Sequence, residues 1–277
     1  MKPSTTDRLI ATPRARRLAR REAIDLHAVR GTGLGGRILE KDVVLAAGQG
    51  QRQTVTTSPM RRVIARMTQE SFATIPHFYL HAEVDASELL QVLNRYSRTA
   101  EPRVSLTDLL LQAQARALAE CPYLNVLWVE PGIRQLSGLA IGLVVSAPRG
   151  IHVPVIKAPH EMDLPALAAL RCRLVEQCRA GRMAPEGCVG GSAAGESATS
   201  LSNLGRGRVD RFLPVIHLHQ SSMLSVGCLA ERPWVLNHQL SVRPTLRLTL
   251  AVDHRVCDGA PAATYMEVLC RQLESSS

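Results

Sequence analysis

Residues 248–260 read Leu248-Thr-Leu-Ala-Val-Asp-His-Arg-Val-Cys-Asp-Gly-Ala260, and their reading decides the fold. An aliphatic, partly β-branched run of this length, closed by a turn, is the pattern of a buried strand rather than of an amphipathic helix. The strand delivers His254 to the turn, and Asp258-Gly259 follows four residues later. A histidine at a strand end with a carboxylate nearby can work as a general base near neutral pH. Spacing alone also allows an ordinary structural pair, because His with Asp at i+4 arises by chance in many folds.

Outward from this strand, helical and strand periods alternate. Helices are expected at Met60–Phe72, Ser87–Tyr96, Thr107–Glu120 and Leu164–Arg179, and strands at His77–Val84, Ala140–Val145, His152–Ile156, Ala198–Ser202, Met223–Val226 and Leu246–Val252. The turn Ala147-Pro-Arg-Gly150 separates two of these strands, and the small-residue stretch Gly190–Ser197 reads as a mobile loop. Strands interleaved with helices of varied length imply an α/β two-layer sandwich over residues 59–277. Before it, residues 48–58 carry no hydrophobic period and read as a linker.

Residues 8–47 form a separate small module. Thr12-Pro13 opens a helix over Arg14–Ala23, Leu26–Val29 reads as extended, and a second helix is expected from Ile38 to Ala47. Between them, Gly31, Gly33 and Gly36 fit G-x-G-x-x-G. The dinucleotide reading requires a strand before the loop and a βαβ unit around it, and neither is present. A tight structural loop with glycines at positive φ is the better reading.

The 277-residue chain is 45% apolar and 21% charged, ordinary values for a globular protein. Aromatics at 3% are too few for a base-stacking nucleic-acid platform. No apolar stretch is long enough to span a membrane, and the polar N-terminus is no secretory signal. The seven cysteines show neither C-x-x-C nor zinc spacing, so no metal is expected and a reduced cytoplasm is. Of the net charge of +9, residues 1–58 supply an excess of six, eleven Lys/Arg against five Asp/Glu. Such an arm suits nucleic acid or an acidic protein surface, and charge alone does not separate them.

His254-Arg-x-x-Asp258-Gly259 after an apolar strand resembles the signature of the dihydrolipoamide acyltransferases, the core components of 2-oxo acid dehydrogenase complexes, whose fold is shared by chloramphenicol acetyltransferase. Met60-Arg-Arg-Val-Ile-Ala65, Ile75-Pro-His-Phe78, Ser200-Leu-Ser-Asn-Leu-Gly205, Val209-Asp-Arg-Phe212 and Met223-Leu-Ser-Val-Gly227 are similar to that catalytic domain. Pro13–Ala47 resembles the family's peripheral subunit-binding domain. The resemblance implies acyl-CoA, acetyl-CoA first, as co-substrate, His254 as general base and Ser202 as oxyanion donor. Asp258 would order the site loop through an arginine, with Arg61 a candidate, and Gly259 and Asn203 would help order that loop or line the substrate pocket. It further implies direct transfer, Cys257 as a bystander, and a homotrimer, with larger cages open, whose sites lie between subunits. Arg14, Arg17 and Arg37 would grip a flavoprotein dehydrogenase or decarboxylase partner, which makes nucleic-acid binding superfluous.

The sequence departs from the family in three places. No lipoyl domain precedes the module, His217-Leu-His219-Gln220 replaces the usual Asn-Pro-Pro-Gln-like segment, and Ser192–Ser197 extends the glycine pair Gly190-Gly191. His217 and His219 could touch substrate or be simply solvated. The missing arm points first to a small-molecule hydroxyl acceptor, as in the related acetyltransferases of tetronate polyketide pathways. The alternative is a complex core whose lipoyl group arrives on another protein.

Overall fold

The computed structural model describes residues 9–49, 57–96, 101–148, 150–192 and 195–275. They fall into two compact units, Met1–Thr57 and Ser58–Ser277. Most of the 48–58 segment lies outside the described residues.

In the first unit, α1 spans Pro13–Arg21, with the Thr12 hydroxyl accepting the Ala15 N–H at 3.2 Å and proline in the first turn. α2 spans Glu40–Gln49. The helix start expected at Ile38 is displaced because Ile38 bridges Ala11 and is buried. The extended piece expected at 26–29 is instead a 3₁₀ turn, Leu26–Ala28, bent by the Asp25 carboxylate accepting the His27 N–H. Ala15, Ala19, Ile38 and Val43 form a small core. Buried Asp42 accepts the backbone N–H groups of Leu39 and Thr32 and the Thr32 hydroxyl at 2.7–2.9 Å. These bonds, Leu39 foremost, hold its carboxyl below the usual range. The glycine loop is structural. Positive φ falls on Gly35 and Gly36, whereas Gly31 is required by close approach: a Cβ there would lie 2.3 Å from the Gly36 carbonyl oxygen.

The larger unit begins with α3, Pro59–Thr74, tied to the body by the Ser71 hydroxyl donating to the Ile216 carbonyl at 2.6 Å. Then follow β1 (His77–Asp85), α4 (Ser87–Tyr96), α5 (Leu106–Glu120), β2 (Val126–Val129), β3 (Gly132–Gln135), β4 (Ala140–Leu143), β5 (Val145–Ala147), β6 (Gly150–His152), β7 (Val155–Lys157), α6 (Leu164–Arg179), β8 (Thr199–Asn203), β9 (Ser222–Val226), β10 (Ala230–Leu236), β11 (Gln239–Asp253) and α7 (Gly259–Glu274). The main sheet runs β1-β11-β9-β8-β4-β7, with β10 also paired to β11.

Alternation along β11 sorts its two faces. Leu246, Leu248, Leu250 and Val252 point into the large core under α4, α5 and α7, whereas Ala251 joins Ile75 and Ile216 in a second cluster. The architecture is the expected helix-on-sheet arrangement. Two expected strands each divide: the Val144 N–H still reaches the Leu201 carbonyl, but Val145–Ala147 then leaves the sheet to pair with Gly150–His152. Beyond Pro154 the chain returns as β7 beside β4. The β2–β3 hairpin and β10 were not expected, and β11 extends further back than the apolar run because its polar half pairs with β10.

Candidate active site

His254 leaves the end of β11 with its backbone N–H on the Pro76 carbonyl at 3.0 Å and its ring 4.5 Å from that of Phe78. The side chain is half exposed, and its Nδ1 lies 3.7 Å from the Asp258 carboxylate. That separation is beyond a hydrogen bond but leaves Nδ1 facing an anion and Nε2 turned elsewhere.

The arginine that orders this turn is Arg255, and its partner is Asp253. The guanidinium grips the buried carboxylate at 2.7–3.1 Å, and the Arg255 backbone N–H adds a bond at 2.9 Å. The other face of the guanidinium lies 5.1 Å above the Trp128 ring. The Asp258–Arg61 pairing offered as one candidate is not formed within this chain. Asp258 is mostly exposed and pairs within the chain only with His254 among the described residues, while Arg61 sits exposed in the first turn of α3. Sequence reasoning passed over Asp253 and Arg255 because they flank the histidine. Their signal was an acid at a core-strand end two residues before a cation, on the same strand face.

His77 supports the turn from β1. Its Nδ1 donates to the Ile75 carbonyl at 2.8 Å while its Nε2 accepts the Ile216 N–H at 3.0 Å, a pairing that fixes one neutral tautomer.

Ser202 stands at the end of β8, nearly buried, and its hydroxyl has no hydrogen-bond partner among the described residues. The Asn203 amide is occupied, donating to Thr107 at 3.2 Å and accepting from the Gly205 N–H at 2.8 Å. Register separates Ser202 from His254. Ser202 pairs with Ser225, and Ser225 with Thr249, five residues before the histidine along β11. At about 3.4 Å per residue the two lie roughly 17 Å apart along the sheet, at opposite ends, before any lateral offset. One chain therefore does not bring them together.

Beside Arg255 opens a cavity of about 310 Å³, walled by Trp128, the Arg134–Glu196 ion pair, Gly190, Gly191 and His219. His219 packs so closely on Gly190 that a Cβ there would lie 2.4 Å from its ring. Its neighbour His217 is only partly exposed: burial, with a smaller contribution from His219, lowers its pKa to about 4, so it is neutral at physiological pH. Gln220 ties this loop to β8 by accepting from the Ser200 hydroxyl at 2.6 Å. Gly259 opens α7 in free space. Cys257 is buried, and burial raises its thiol pKa, which disfavours a nucleophile. In the first unit Arg14, Arg17 and Arg37 are exposed.

Among the described residues no group of three His, Cys, Asp or Glu could hold a metal ion, and no helix is long and apolar enough to cross a membrane.

Residues 49–277 match the 2-oxoacid dehydrogenases acyltransferase (catalytic domain) family, and residues 9–44 match the e3 binding domain. The acetyltransferase component of the Zymomonas mobilis pyruvate dehydrogenase complex is 32% identical over 96% of this chain and 65% of its own length. Its Rickettsia conorii counterpart is 30% identical, over 97% and 67%. The chain thus spans about two thirds of these curated relatives. Among solved structures, the Azotobacter vinelandii dihydrolipoamide acetyltransferase, whose mechanism was investigated at a serine, a histidine and an asparagine, superposes with a TM-score of 0.77 at 25% identity, covering 83% of this chain and 95% of that one. Chloramphenicol acetyltransferase, at 15% identity and a TM-score of 0.51 over 74% and 94%, shares the fold. A large α/β unit with this sheet and this family match, behind a module with its own, means that the chain belongs to the 2-oxoacid dehydrogenase acyltransferase family.

Proposed function

We propose that the protein transfers an acyl group between coenzyme A and a dihydrolipoyl thiol, as the acyltransferase core of a 2-oxo acid dehydrogenase complex. One observation carries the reading. In the Azotobacter enzyme the investigated histidine lies fifty-two residues beyond the serine and the asparagine four beyond the histidine. Here Ser202, His254 and Asp258 keep both spacings, with aspartate in the last place. The hydroxyl acceptor of tetronate pathways, anticipated above, finds no support in the relatives named, and the thiol acceptor replaces it as the reading.

In the proposed step His254 Nε2 takes the proton of the attacking thiol while Asp258 faces Nδ1 and stabilises the cation that forms. The thiol sulfur bonds to the thioester carbonyl carbon, and negative charge moves to the carbonyl oxygen. Ser202, with its hydroxyl uncommitted, donates to that oxygen, a contribution of several kcal/mol in a preorganised site. Collapse expels the other thiolate, which recovers the proton from His254. Because Ser202 and His254 stand at opposite ends of one sheet, the serine that meets a given histidine belongs to a second copy, in keeping with a closed cyclic trimer. The first unit, through exposed Arg14, Arg17 and Arg37, docks the dehydrogenase partner.

The test is CoA release from acetyl-CoA with free dihydrolipoamide as acceptor and His254→Ala as control. Histidine-dependent transfer supports the reading. Negligible transfer by folded, assembled protein would sink it and turn attention to alcohols. Retention of a flavoprotein dihydrolipoamide dehydrogenase by the intact chain, lost in Arg17→Ala, tests docking separately.

A further inference from the structure

We propose that a second cavity, formed by α4, α5, the start of α6 and the end of α7, binds a small carboxylate carried on an aliphatic chain. It encloses about 490 Å³, within the range of small-molecule sites, and shares no lining residue with the cavity beside Arg255. Its body is aliphatic: Leu89 and Val92 from α4, Leu109 from α5, and Leu164 from α6. Its polar wall is cationic, with Arg95 from the last turn of α4 and Arg116 from α5.

Neither arginine forms a hydrogen bond or ion pair among the described residues, although Arg116 is partly buried. His160 also lines the cavity, and its Nδ1 is buried without a partner; its Nε2 lies 3.8 Å from the Glu161 carboxylate. The one carboxylate in the wall, Asp163, is committed to capping α6 through the Ala166 N–H at 2.7 Å. The wall therefore presents two guanidinium groups that pair with no carboxylate among the described residues, the Glu161 carboxylate facing His160 and Asp163 capping its helix. A guanidinium pairs best with a carboxylate, in two parallel hydrogen bonds. The apolar floor beside the cations selects a carboxylate with an aliphatic body over a bare inorganic anion.

Calorimetric titration of the full chain with octanoate, set against octanol and inorganic phosphate, tests the site. Saturable binding of one octanoate per chain is expected, at least tenfold tighter than octanol or phosphate, and weakened at least tenfold by Arg116→Gln. Arg95→Gln, on the exposed rim, is expected to weaken octanoate severalfold without perturbing the fold, so the test survives a poorly folding Arg116 variant. No saturation at millimolar octanoate, equal binding of octanol, or octanoate binding indifferent to both substitutions would overturn the proposal. Because binding is read without acyl transfer, this outcome is independent of the transfer assay.

Discussion

Asp253 and Arg255, the two sequence neighbours of His254, clasp one another, a buried carboxylate and a guanidinium joined by two parallel hydrogen bonds. Since the strand period is two, the clasp fixes one face of the turn and leaves the histidine alone on the other. His254 is thereby positioned without either ring nitrogen being consumed by a hydrogen bond among the described residues.

Arg255→Ala tests the clasp. One-sided loss of a buried pair costs roughly 3–5 kcal/mol, and the partial exposure of this arginine places the expected loss near the lower end. Urea unfolding should show it, with transfer activity falling more than stability alone explains at a temperature where the variant is folded. A variant equal to the parent in both would show that Phe78 and the Pro76 carbonyl suffice to hold His254.

His254→Ala should lower transfer by about 10²–10⁴-fold, the usual worth of a general base, with circular dichroism unchanged. Asp258→Asn should cost less than about tenfold, because proton acceptance by Nε2 does not require the carboxylate itself. A loss from Asp258→Asn as large as that from His254→Ala would assign the aspartate a direct part in proton movement.

Mixing Ser202→Ala and His254→Ala chains, each nearly inactive alone, tests where the two residues meet. In randomly re-formed trimers about one quarter of the sites combine an intact histidine with an intact serine from a neighbour. Recovery of about that share of parental activity is expected after co-refolding. Continued inactivity in well-assembled mixed trimers would place both groups in one chain.

Acid should destabilise the protein through His217. Its folded pKa, about 4, lies below its unfolded value, so between the two only the unfolded chain takes up the proton. The stability it supports is complete above about pH 6.5 and is lost as pH falls toward 4. Between pH 7.5 and 5 the parent should therefore lose roughly 1–2 kcal/mol more than His217→Gln, read from urea midpoints.

Gly142→Ala should destabilise by about 1–3 kcal/mol through overpacking, since its Cβ would fall 2.2 Å from the Ser200 hydroxyl. The clash also displaces Ser200 from Gln220, so the Ser202 strand should show altered amide exchange.

The sheet's central strands and most helices were legible because burial on one face writes a period into the chain: Leu246, Leu248 and Leu250 alternate as they must, and Ser87–Tyr96 and Leu164–Arg179 fall as read. The β2–β3 hairpin was not, because Val126–Val129 is only four residues long and Gly132–Gln135 buries no side chain, too little to carry a pattern. The histidine and serine could be named from their motifs. Their mutual distance could not, because it depends on the register of β8, β9 and β11. The Asp253–Arg255 clasp and the neutral state of His217 likewise arise from packing between segments far apart in sequence.

Under the proposed mechanism, the separation of Ser202 and His254 along the sheet makes competence a property of concentration. An isolated chain would then be fully folded and still hold half of the proposed site at each end. On dilution below the dissociation constant of the assembly, specific activity should decline while spectroscopic measures of fold stay constant. Small molecules or substitutions that loosen subunit contacts would then act as inhibitors without ever approaching the histidine.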